Sequence, residues 1–279
     1  MTGKCAACLG GERASRKAVV NSILLLGTGP GSSVKGRACT SVVLRLGEAC
    51  VLVDAGEPCS QRLHERGIRF SSLDAVFLTH GHSDHTGGFP MLIQGSWLEP
   101  RKRLLPVYLP AELIAPLRAW LEAVYLPPGL LGFDLDFRPW VADAEFHVAG
   151  KLLVTPYPTH HLDGLRQIID PDASDRFKTF SLAVEGAGRR VVFSSDLGAP
   201  EDLALQLAQP CDLLVCEVSH FAPEELFAFL RGKPVRRLVL THLAPDLAGS
   251  EADLQAAAAA ALPDADLVSV ARDGDEIEF

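Results

Sequence analysis

The segment from residue 79 to residue 88, which reads THGHSDHTGG, contains four side chains that can bind a divalent cation. They are His80, His82, Asp84 and His85, so three of the nine histidines of the chain lie within six residues. Imidazole nitrogens and carboxylate oxygens are typical ligands of zinc and related divalent ions. A polar surface loop with scattered histidines is the alternative, and the density of ligands argues against it. The segment therefore predicts a metal centre.

Short apolar runs rich in β-favouring residues place these ligands at the end of a strand. One run, from Ala75 to Thr79, leads directly into His80, so we expect the ligands at a strand-to-loop exit. Further strands are predicted at 23–26, 41–46, 50–53, 152–155, 180–184, 190–194, 213–216 and 238–241. The spacing of apolar residues predicts helices at 111–126, 201–207, 224–230 and 251–262.

This order of elements predicts an α/β fold with two similar halves. No composition break or long linker separates the halves, so we expect one two-sheet core with helices on both outer faces. A single domain of residues 22–279 and a flexible N-terminal tail of residues 1–21 are therefore predicted. The GxG motif at 27–29 lacks the third glycine and the following helix that dinucleotide binding requires.

The composition is that of a folded globular protein, since 48% of the 279 residues are apolar and 22% are charged. No apolar run is long enough for a membrane helix, and the first twenty residues carry charges where a signal peptide is apolar. Seven cysteines without regular spacing suit a reducing compartment, so a cytoplasmic location is expected. Cys5 and Cys8 form half of a zinc site, and a flexible terminus is the favoured interpretation. The formal net charge of −9 argues against extended nucleic-acid binding.

The ligand-rich segment resembles the HxHxDH signature of the metallo-β-lactamase superfamily. Over about residues 23–245, later positions resemble the other family motifs in order. Asp196 resembles the bridging carboxylate, His242 the last ligand, and Asp54 the aspartate that braces the metal loop. Of the adjacent His160 and His161, family members carry the ligand at the place of His161, so His160 is expected in the outer shell or on the surface.

The resemblance implies a four-layer αββα sandwich that holds two divalent metal ions, with zinc as the expected ion and manganese or iron as alternatives. One ion is expected between His80, His82 and His161, and the other between Asp84, His85 and His242, with Asp196 bridging the two. Water between two cations loses a proton near neutral pH, and the cations polarise the bond under attack. Asp84 is also the candidate catalytic residue for orienting this nucleophile.

Two further features resemble ribonuclease Z and related phosphodiesterases, including the cyclic phosphodiesterase of phosphonate metabolism. The first is the opening Leu26-Gly27-Thr28-Gly29, which is followed by Arg37 and Ser41. The second is the segment 214–220, in which His220 matches a histidine of the cyclic phosphodiesterase, whereas ribonuclease Z has its histidine at the place of Cys216. His220 is therefore the expected acid that protonates the leaving oxygen, and a capping or outer-shell histidine is the alternative.

The chain also departs from both of these enzymes. It has no counterpart of the glycine-rich arm by which ribonuclease Z grips transfer RNA, nor of the cysteine cluster that holds a structural zinc in the cyclic phosphodiesterase. The acidic segment of residues 162–178 follows His161 directly. We expect this segment either to form a lid over the cleft or to be an ordinary loop.

Taken together, these features predict a dinuclear metal-dependent hydrolase that uses a metal-bound hydroxide on a phosphodiester in a small molecule or nucleotide. The alternatives are a lactone, thioester or sulfate ester hydrolase, transfer RNA processing like that of ribonuclease Z, and a non-catalytic scaffold. A classical β-lactamase is disfavoured because its cysteine ligand would stand at Asp196, and a di-iron redox centre would favour a carboxylate at His82. No membrane partner is expected, and a homodimer is compatible with the sequence.

Overall fold

The computed structural model describes residues 20–279. The predicted N-terminal tail falls outside the described residues except at positions 20 and 21, and the Cys5 and Cys8 pair lies outside them entirely. Within the described range, the chain forms two sheets of seven strands each. The strands are β1 (Ser22–Gly27), β2 (Ser41–Leu46), β3 (Ala49–Val53), β4 (Ala75–Phe77), β5 (Leu105–Leu109), β6 (Leu135–Pro139), β7 (Phe146–Val148), β8 (Leu152–Thr159), β9 (Thr179–Gly186), β10 (Arg189–Phe193), β11 (Leu213–Val218), β12 (Arg237–Leu243), β13 (Leu267–Val270) and β14 (Glu276–Glu278).

Eight α-helices connect or flank these strands within residues 20–279. They are α1 (Cys59–Glu65), α2 (Ser83–Thr86), α3 (Phe89–Leu98), α4 (Ile114–Ala123), α5 (Pro128–Leu131), α6 (Asp163–Ile169), α7 (Pro223–Leu230) and α8 (Glu251–Ala261). Short 3-10 turns lie at Phe70–Ser72, Ala111–Leu113, Pro200–Leu203, Gln206–Ala208 and Pro245–Leu247. None of the helices in the described range has both the length and the apolar character needed to cross a bilayer.

The two sheets share one arrangement of strands. The first has the order β14-β1-β2-β3-β4-β5-β6, and the second has the order β13-β12-β11-β10-β9-β8-β7. In the first sheet the strands from β14 to β3 are antiparallel and those from β3 to β6 are parallel. In the second, the strands from β13 to β10 are parallel and those from β10 to β7 are antiparallel. The two similar halves of the sequence therefore correspond to two similar mixed sheets.

Each sheet is buried on both faces, which explains why its strands are continuous apolar runs rather than alternating ones. In β1, Ile23 and Leu25 face the core between the two sheets, whereas Leu24 and Leu26 face the helices α1 and α3. A third apolar cluster lies between the second sheet and the helices α7 and α8. Two sheets with helices on both outer faces confirm the predicted four-layer α/β sandwich.

The helix predicted at 201–207 is wrong, because this segment forms two short 3-10 turns instead. Pro200 and Pro210 bracket the segment, and the side chain of Gln206 turns inward, where it is fully buried and donates to Ser181 Oγ. The two prolines are compatible with a helix between them, so it is the inward, buried position of Gln206 that overrides the local helical pattern. The predicted helix at 111–126 is present as a 3-10 turn followed by α4. The sequence patterns did not predict α1, α3 or α6.

Arg101 is a buried cation that holds the chain segment leading to β4. Arg101 is only 1% exposed, and its guanidinium donates hydrogen bonds of 2.8–2.9 Å to the carbonyl oxygens of Phe70, Leu73, Arg103 and Leu104. Burial and the nearby Arg103 lower the pKa of Arg101 to about 10, so the side chain stays charged near neutral pH. Two of these carbonyl oxygens lie in the turn that precedes β4 and the loop of predicted ligands, and the other two lie directly before β5, so Arg101 ties the two segments together.

We expect Arg101→Met to lower the free energy of unfolding by about 2–4 kcal/mol, because the substitution leaves buried carbonyl oxygens without donors. Urea denaturation followed by circular dichroism measures the effect. Arg103→Met is the matched control, since the Arg103 side chain is 58% exposed and its ion pair with Asp74 contributes less than about 1 kcal/mol. Equal losses in the two variants would contradict this role for Arg101.

Candidate metal centre

The seven predicted metal ligands converge at the edge of the sandwich where several parallel strands end. His80 and His82 follow β4, His161 follows β8 and Asp196 follows β10, while His242 lies near the end of β12. Asp84 and His85 belong to α2, a single helical turn that begins directly after His82. Both sheets thus contribute side chains to one cluster, as the sequence pattern predicted.

The first group of potential ligands consists of His80, His82, His161 and Asp196, whose ligand atoms all lie within 4.8 Å of one another. The Nε2 atoms of His80 and His161 are 3.7 and 3.5 Å from Asp196 Oδ2. His82 Nδ1 lies 3.2 Å from His161 Nε2. Three imidazoles and one carboxylate therefore surround a common point.

The second group consists of Asp84, His85, Asp196 and His242, again with ligand atoms within 4.8 Å of one another. His85 Nε2 is 3.3 Å from Asp196 Oδ1, and His242 Nε2 is 3.5 Å from Asp196 Oδ2. His242 Nε2 also lies 3.8 Å from Asp84 Oδ2. Asp196 belongs to both four-residue groups, so its two carboxylate oxygens are in position to bridge them.

Unusual backbone conformations direct these side chains. Asp54, Ser195 and His242 adopt left-handed φ angles of 57°, 52° and 51°, which residues other than glycine rarely do. His242 forms a bulge in β12, because Thr241 pairs with Glu217 and Leu243 pairs with Val218. Strained backbone of this kind is concentrated at functional sites, and here it turns His242 toward the other ligands.

Buried hydrogen bonds fix the orientation of the ligand side chains. Asp54 accepts hydrogen bonds from the backbone N–H of Thr79 at 2.8 Å, from its hydroxyl at 2.9 Å and from His85 Nδ1 at 2.8 Å. Thr40 Oγ1 lies 2.7 Å from His242 Nδ1. With their Nδ1 atoms engaged, His85 and His242 present Nε2 to the cluster. Asp54 braces the metal loop, as the family resemblance implied.

Three buried polar atoms of the cluster make no hydrogen bond of acceptable geometry within residues 20–279, namely His80 Nε2, His85 Nε2 and Asp196 Oδ1. The 3.3 Å approach of His85 Nε2 to Asp196 Oδ1 is an ion-pair contact only. A buried polar atom without a partner is costly and uncommon in folded proteins. All three atoms belong to the two ligand groups, and a divalent cation would satisfy them together. The donor set and the unpaired atoms therefore both fit a metal site.

The electrostatics of the cluster favour neutral His80 and His161 beside an ionised Asp196, whereas His85 holds its proton more tightly in the metal-free arrangement. Burial lowers the pKa of His80 well below its ordinary value and that of His161 to about 4. Burial opposes ionisation of Asp196, but the neighbouring His85 and His242 outweigh it and hold the pKa of Asp196 well below its ordinary value. Burial also lowers the pKa of His85, yet the carboxylates of Asp196 and Asp54 raise it well above its ordinary value. Neutral imidazole and carboxylate are the forms that bind metals.

His220 lies at the mouth of the cluster, where the family resemblance implied an acid. Its side chain is 32% exposed, and its Nε2 lies 4.0 Å from Asp196 Oδ2. Its Nδ1 is 2.7 Å from Oε2 of Glu217, a carboxylate that also accepts the backbone N–H groups of Leu197 and Ser219. Burial lowers the pKa of His220, but the hydrogen bond and charge of Glu217 outweigh this and raise it. His220 therefore retains a proton more readily than an ordinary histidine.

Asp202 is a positioning residue that the sequence reasoning missed. Its buried carboxylate accepts the backbone N–H groups of His160 and Gly198 at 3.0 and 2.8 Å and pairs with His160 Nδ1. Thr159 Oγ1 also donates to the carbonyl oxygen of Asp196 at 2.8 Å. These bonds join the loop of His161 to the loop of Asp196. The His160 side chain itself is 73% exposed, in keeping with its predicted surface or outer-shell place.

Comparison with known proteins identifies the family. The family model for the beta-lactamase superfamily domain matches residues 50–243. Ribonuclease Z of Synechococcus sp. (strain CC9311) is 29% identical over 301 residues, with coverage of 86% of this chain and 94% of that protein. Ribonuclease Z of Pyrococcus furiosus is 23% identical over 268 residues, with coverage of 80% of this chain and 86% of that protein.

Solved structures with less than 25% identity to this chain share its fold. The metallo-beta-lactamase fold protein YhfI from Bacillus subtilis has a TM-score of 0.73 and 19% identity and covers 93% of this chain and 100% of its own. The short form of human tRNase Z has a TM-score of 0.69 and 20% identity, with coverage of 92% and 98%. The family match covers more than half of the chain and includes all seven clustered ligand residues. The chain therefore belongs to the β-lactamase superfamily and is a metal-dependent hydrolase with the metallo-β-lactamase fold.

Proposed function

We propose that this hydrolase holds two divalent cations, with zinc the best match to its ligands, and cleaves a phosphodiester in a small molecule or nucleotide. The two ligand groups that share Asp196 carry the proposal of two cations, because a carboxylate between two sites reduces the repulsion between the ions. The first ion would lie between His80, His82, His161 and Asp196. The second would lie between Asp84, His85, His242 and the same Asp196.

Bound cations would supply an activated water near neutral pH and would polarise the bond under attack. The protein side chains supply orientation and proton transfer. Asp84 is 7% exposed and faces the cluster, so its carboxylate is in place to orient an attacking water in addition to its role as a ligand. Asp54, through His85 and Thr79, keeps the ligand side chains in one arrangement.

His220 is the proposed acid for the leaving group. Its Nδ1 is engaged by Glu217, which leaves Nε2 directed at the mouth of the cluster, 4.0 Å from Asp196 Oδ2. A proton on Nε2 would pass to the leaving oxygen as the bond to phosphorus breaks. The Glu217 carboxylate would stabilise the charge on the imidazolium and set its orientation, and Glu217 therefore acts as a positioning residue.

Processing of transfer RNA is the second candidate, and the ribonuclease Z relatives favour it. Two observations rank a smaller substrate first. The match to the Synechococcus enzyme extends over 301 positions, which is more than the 279 residues of this chain, and it includes only 86% of them. The relative therefore has inserted residues without a counterpart in this chain. A net charge of −9 also disfavours an extended polyanion as substrate. A solved structure with a TM-score of 0.68 and 18% identity is that of a diphosphatase from the PhnP family, so this fold also supports phosphoryl chemistry other than transfer RNA processing.

Lactones, thioesters and sulfate esters remain the alternative substrates, because cations polarise carbonyl and sulfuryl oxygens as well as phosphoryl oxygens. A screen of model phosphodiesters, lactones, thioesters, sulfate esters and precursor transfer RNA, run after metal analysis, tests the proposal. Turnover of small diesters with little cleavage of precursor transfer RNA is the expected outcome. Efficient cleavage of the precursor at one site would instead establish the second candidate.

We expect about two divalent ions per chain in the purified protein and fewer in Asp196→Ala, because two cations without a bridging carboxylate repel one another. Elemental analysis of gel-filtered protein measures the ratio. Asp163→Ala, which removes a carboxylate with a side-chain exposure of 45%, should retain the wild-type metal content. Full occupancy in Asp196→Ala would contradict the assignment of Asp196.

We expect His161→Ala to weaken metal affinity by more than about 100-fold, because it removes a direct ligand. His160→Ala should cost about 10-fold or less, because that side chain is largely exposed and acts only through Asp202. Competition with a chromogenic chelator gives both affinities. Losses of equal size would show that the family motif has been misaligned at these two histidines.

We expect His220→Ala to lower turnover by about 10²–10⁴-fold on a diester with an alkoxide leaving group and to change turnover little on a p-nitrophenyl diester. An activated aryl leaving group departs without protonation, so only the first substrate needs the acid. Metal content should be unchanged. His147→Ala, an exposed histidine on β7, is the control and should leave both rates unaltered. Similar losses on both substrates, with the metals retained, would remove His220 from this role.

A further inference from the structure

A cavity of about 540 Å³ borders the chain segment that leads into the ligand residue His161, and the activity proposed above makes no use of it. It is lined on one side by Thr159 and His160, which directly precede the ligand His161. On another side it is lined by the loop that follows α6, including Arg176 and Phe177. Its volume is in the range of small-molecule sites in proteins.

The inner wall of this cavity is attached to the base of the metal loop. Trp140 and Phe180 line the cavity and are both 5% exposed. Trp140 Nε1 donates to the carbonyl oxygen of Leu78 at 3.0 Å, and the backbone N–H of Phe180 donates to that of Thr79 at 3.2 Å. These two carbonyl groups directly precede His80. A molecule in the cavity would therefore contact the same rigid unit that carries the metal ligands.

The outer wall is held in a defined conformation. The backbone N–H groups of Phe177 and Lys178 donate to the carboxylate of Glu112 at 2.9 and 2.7 Å. Phe177 has a left-handed φ of 59°, which is unfavourable for a bulky side chain. The segment predicted as either a lid or an acidic loop is thus α6 followed by an anchored, strained loop. Strain retained in a loop beside an active centre indicates a functional constraint.

The chemistry of the walls suits a flat heterocycle that also carries polar groups. Trp140, Pro158 and Phe180 give apolar surface, and the rim carries three cationic side chains, Arg166, Arg176 and Lys178, with the carboxylates of Asp163 and Asp175 among them. The Arg176 guanidinium lies 5.1 Å from the centroid of the Phe177 ring, so the rim presents stacked planar groups. Arg166 pairs through Nη2 with Asp163 Oδ1 at 3.2 Å, and its side chain is 32% exposed. A guanidinium has five N–H donors, so the exposed edge of Arg166 retains donors for an acceptor atom of a ligand.

We propose that this cavity binds the nucleoside part of a nucleotide ester whose scissile phosphate lies at the metal centre. The base would contact the apolar wall and the Phe177 ring, and Arg166 and Lys178 would donate to its ring nitrogens and oxygens or to the ribose. The inference rests on the proposed phosphodiesterase function and names its substrate class. The cavity accommodates a single nucleoside rather than a polynucleotide, consistent with the net charge of −9.

The test compares esters that share one leaving group. The metal-loaded protein is assayed with methyl p-nitrophenyl phosphate and with the 5′-(p-nitrophenyl phosphate) esters of thymidine and adenosine. The wild type should have a lower KM for at least one nucleoside ester. Arg166→Gln and Phe177→Asn should raise that KM by about 5- to 100-fold with little change in kcat, and should leave the kinetics of the methyl ester unaltered. Asparagine is chosen at position 177 because it tolerates a left-handed φ.

Arg236→Gln is the matched control, since it removes an exposed arginine that pairs with Asp266 outside the cavity, and it should behave as wild type. Equal changes on the methyl and nucleoside esters would overturn the proposal. Calorimetric titration with AMP, TMP and ribose 5-phosphate provides a readout that is independent of turnover. Binding of AMP or TMP no tighter than that of ribose 5-phosphate to the wild type would overturn the proposal even if a variant failed to fold. Failure to cleave any diester, with AMP or TMP still preferred, would overturn the phosphodiesterase function and retain the cavity as a nucleoside site.

Discussion

A carboxylate as deeply buried as that of Asp196, whose side chain is 3% exposed, is stable only when positive charge or hydrogen-bond donors surround it. No single element of the fold can supply such surroundings. The histidines around Asp196 come from the loops after β4 and β8, from α2 and from β12, and therefore from both sheets. The buried charge of Asp196 is therefore compensated only when the two sheets are packed against each other. Disturbing the core between the sheets would separate the ligands of each group.

The cost of bringing these ligands together is visible in the backbone. Left-handed conformations at Asp54, Ser195 and His242 each carry strain, and all three occur where a strand meets the cluster. Buried hydrogen bonds offset that strain. Asp54 binds Thr79 and His85, while Ser195 Oγ donates to Thr79 Oγ1 at 2.7 Å. Thr79 thereby links a loop of the first sheet to a loop of the second, so its hydroxyl has a structural role that does not depend on metal binding.

The sequence predicted the parts of this structure that depend on local patterns. Apolar runs such as Ile23 to Leu26 indicate buried strands, and the ligand-rich segment after β4 indicates a metal centre, because both signals lie in adjacent residues. Asp202 carried no such signal, since its role depends on the contact of two loops distant in sequence. The prediction of a helix at 201–207 failed for the same reason, because a contact distant in sequence, the burial of Gln206 against Ser181, overrides the local pattern. The pairing of Glu217 with His220 became clear only when their geometry was known.

Substrate choice must lie outside the clustered ligand residues, because divalent cations polarise phosphoryl, carbonyl and sulfuryl oxygens alike. The surface beyond the cluster includes the segment from α6 to Lys178. That segment begins shortly after His161, and its C-terminal end is held by hydrogen bonds from the backbone N–H groups of Phe177 and Lys178 to the Glu112 carboxylate. Changes there would alter the cavity while the inter-sheet core and the bonds of Asp54 continue to hold the ligands. If the cavity binds the nucleoside as proposed, the fold separates the chemistry, which depends on the buried cluster, from recognition, which depends on one anchored surface segment.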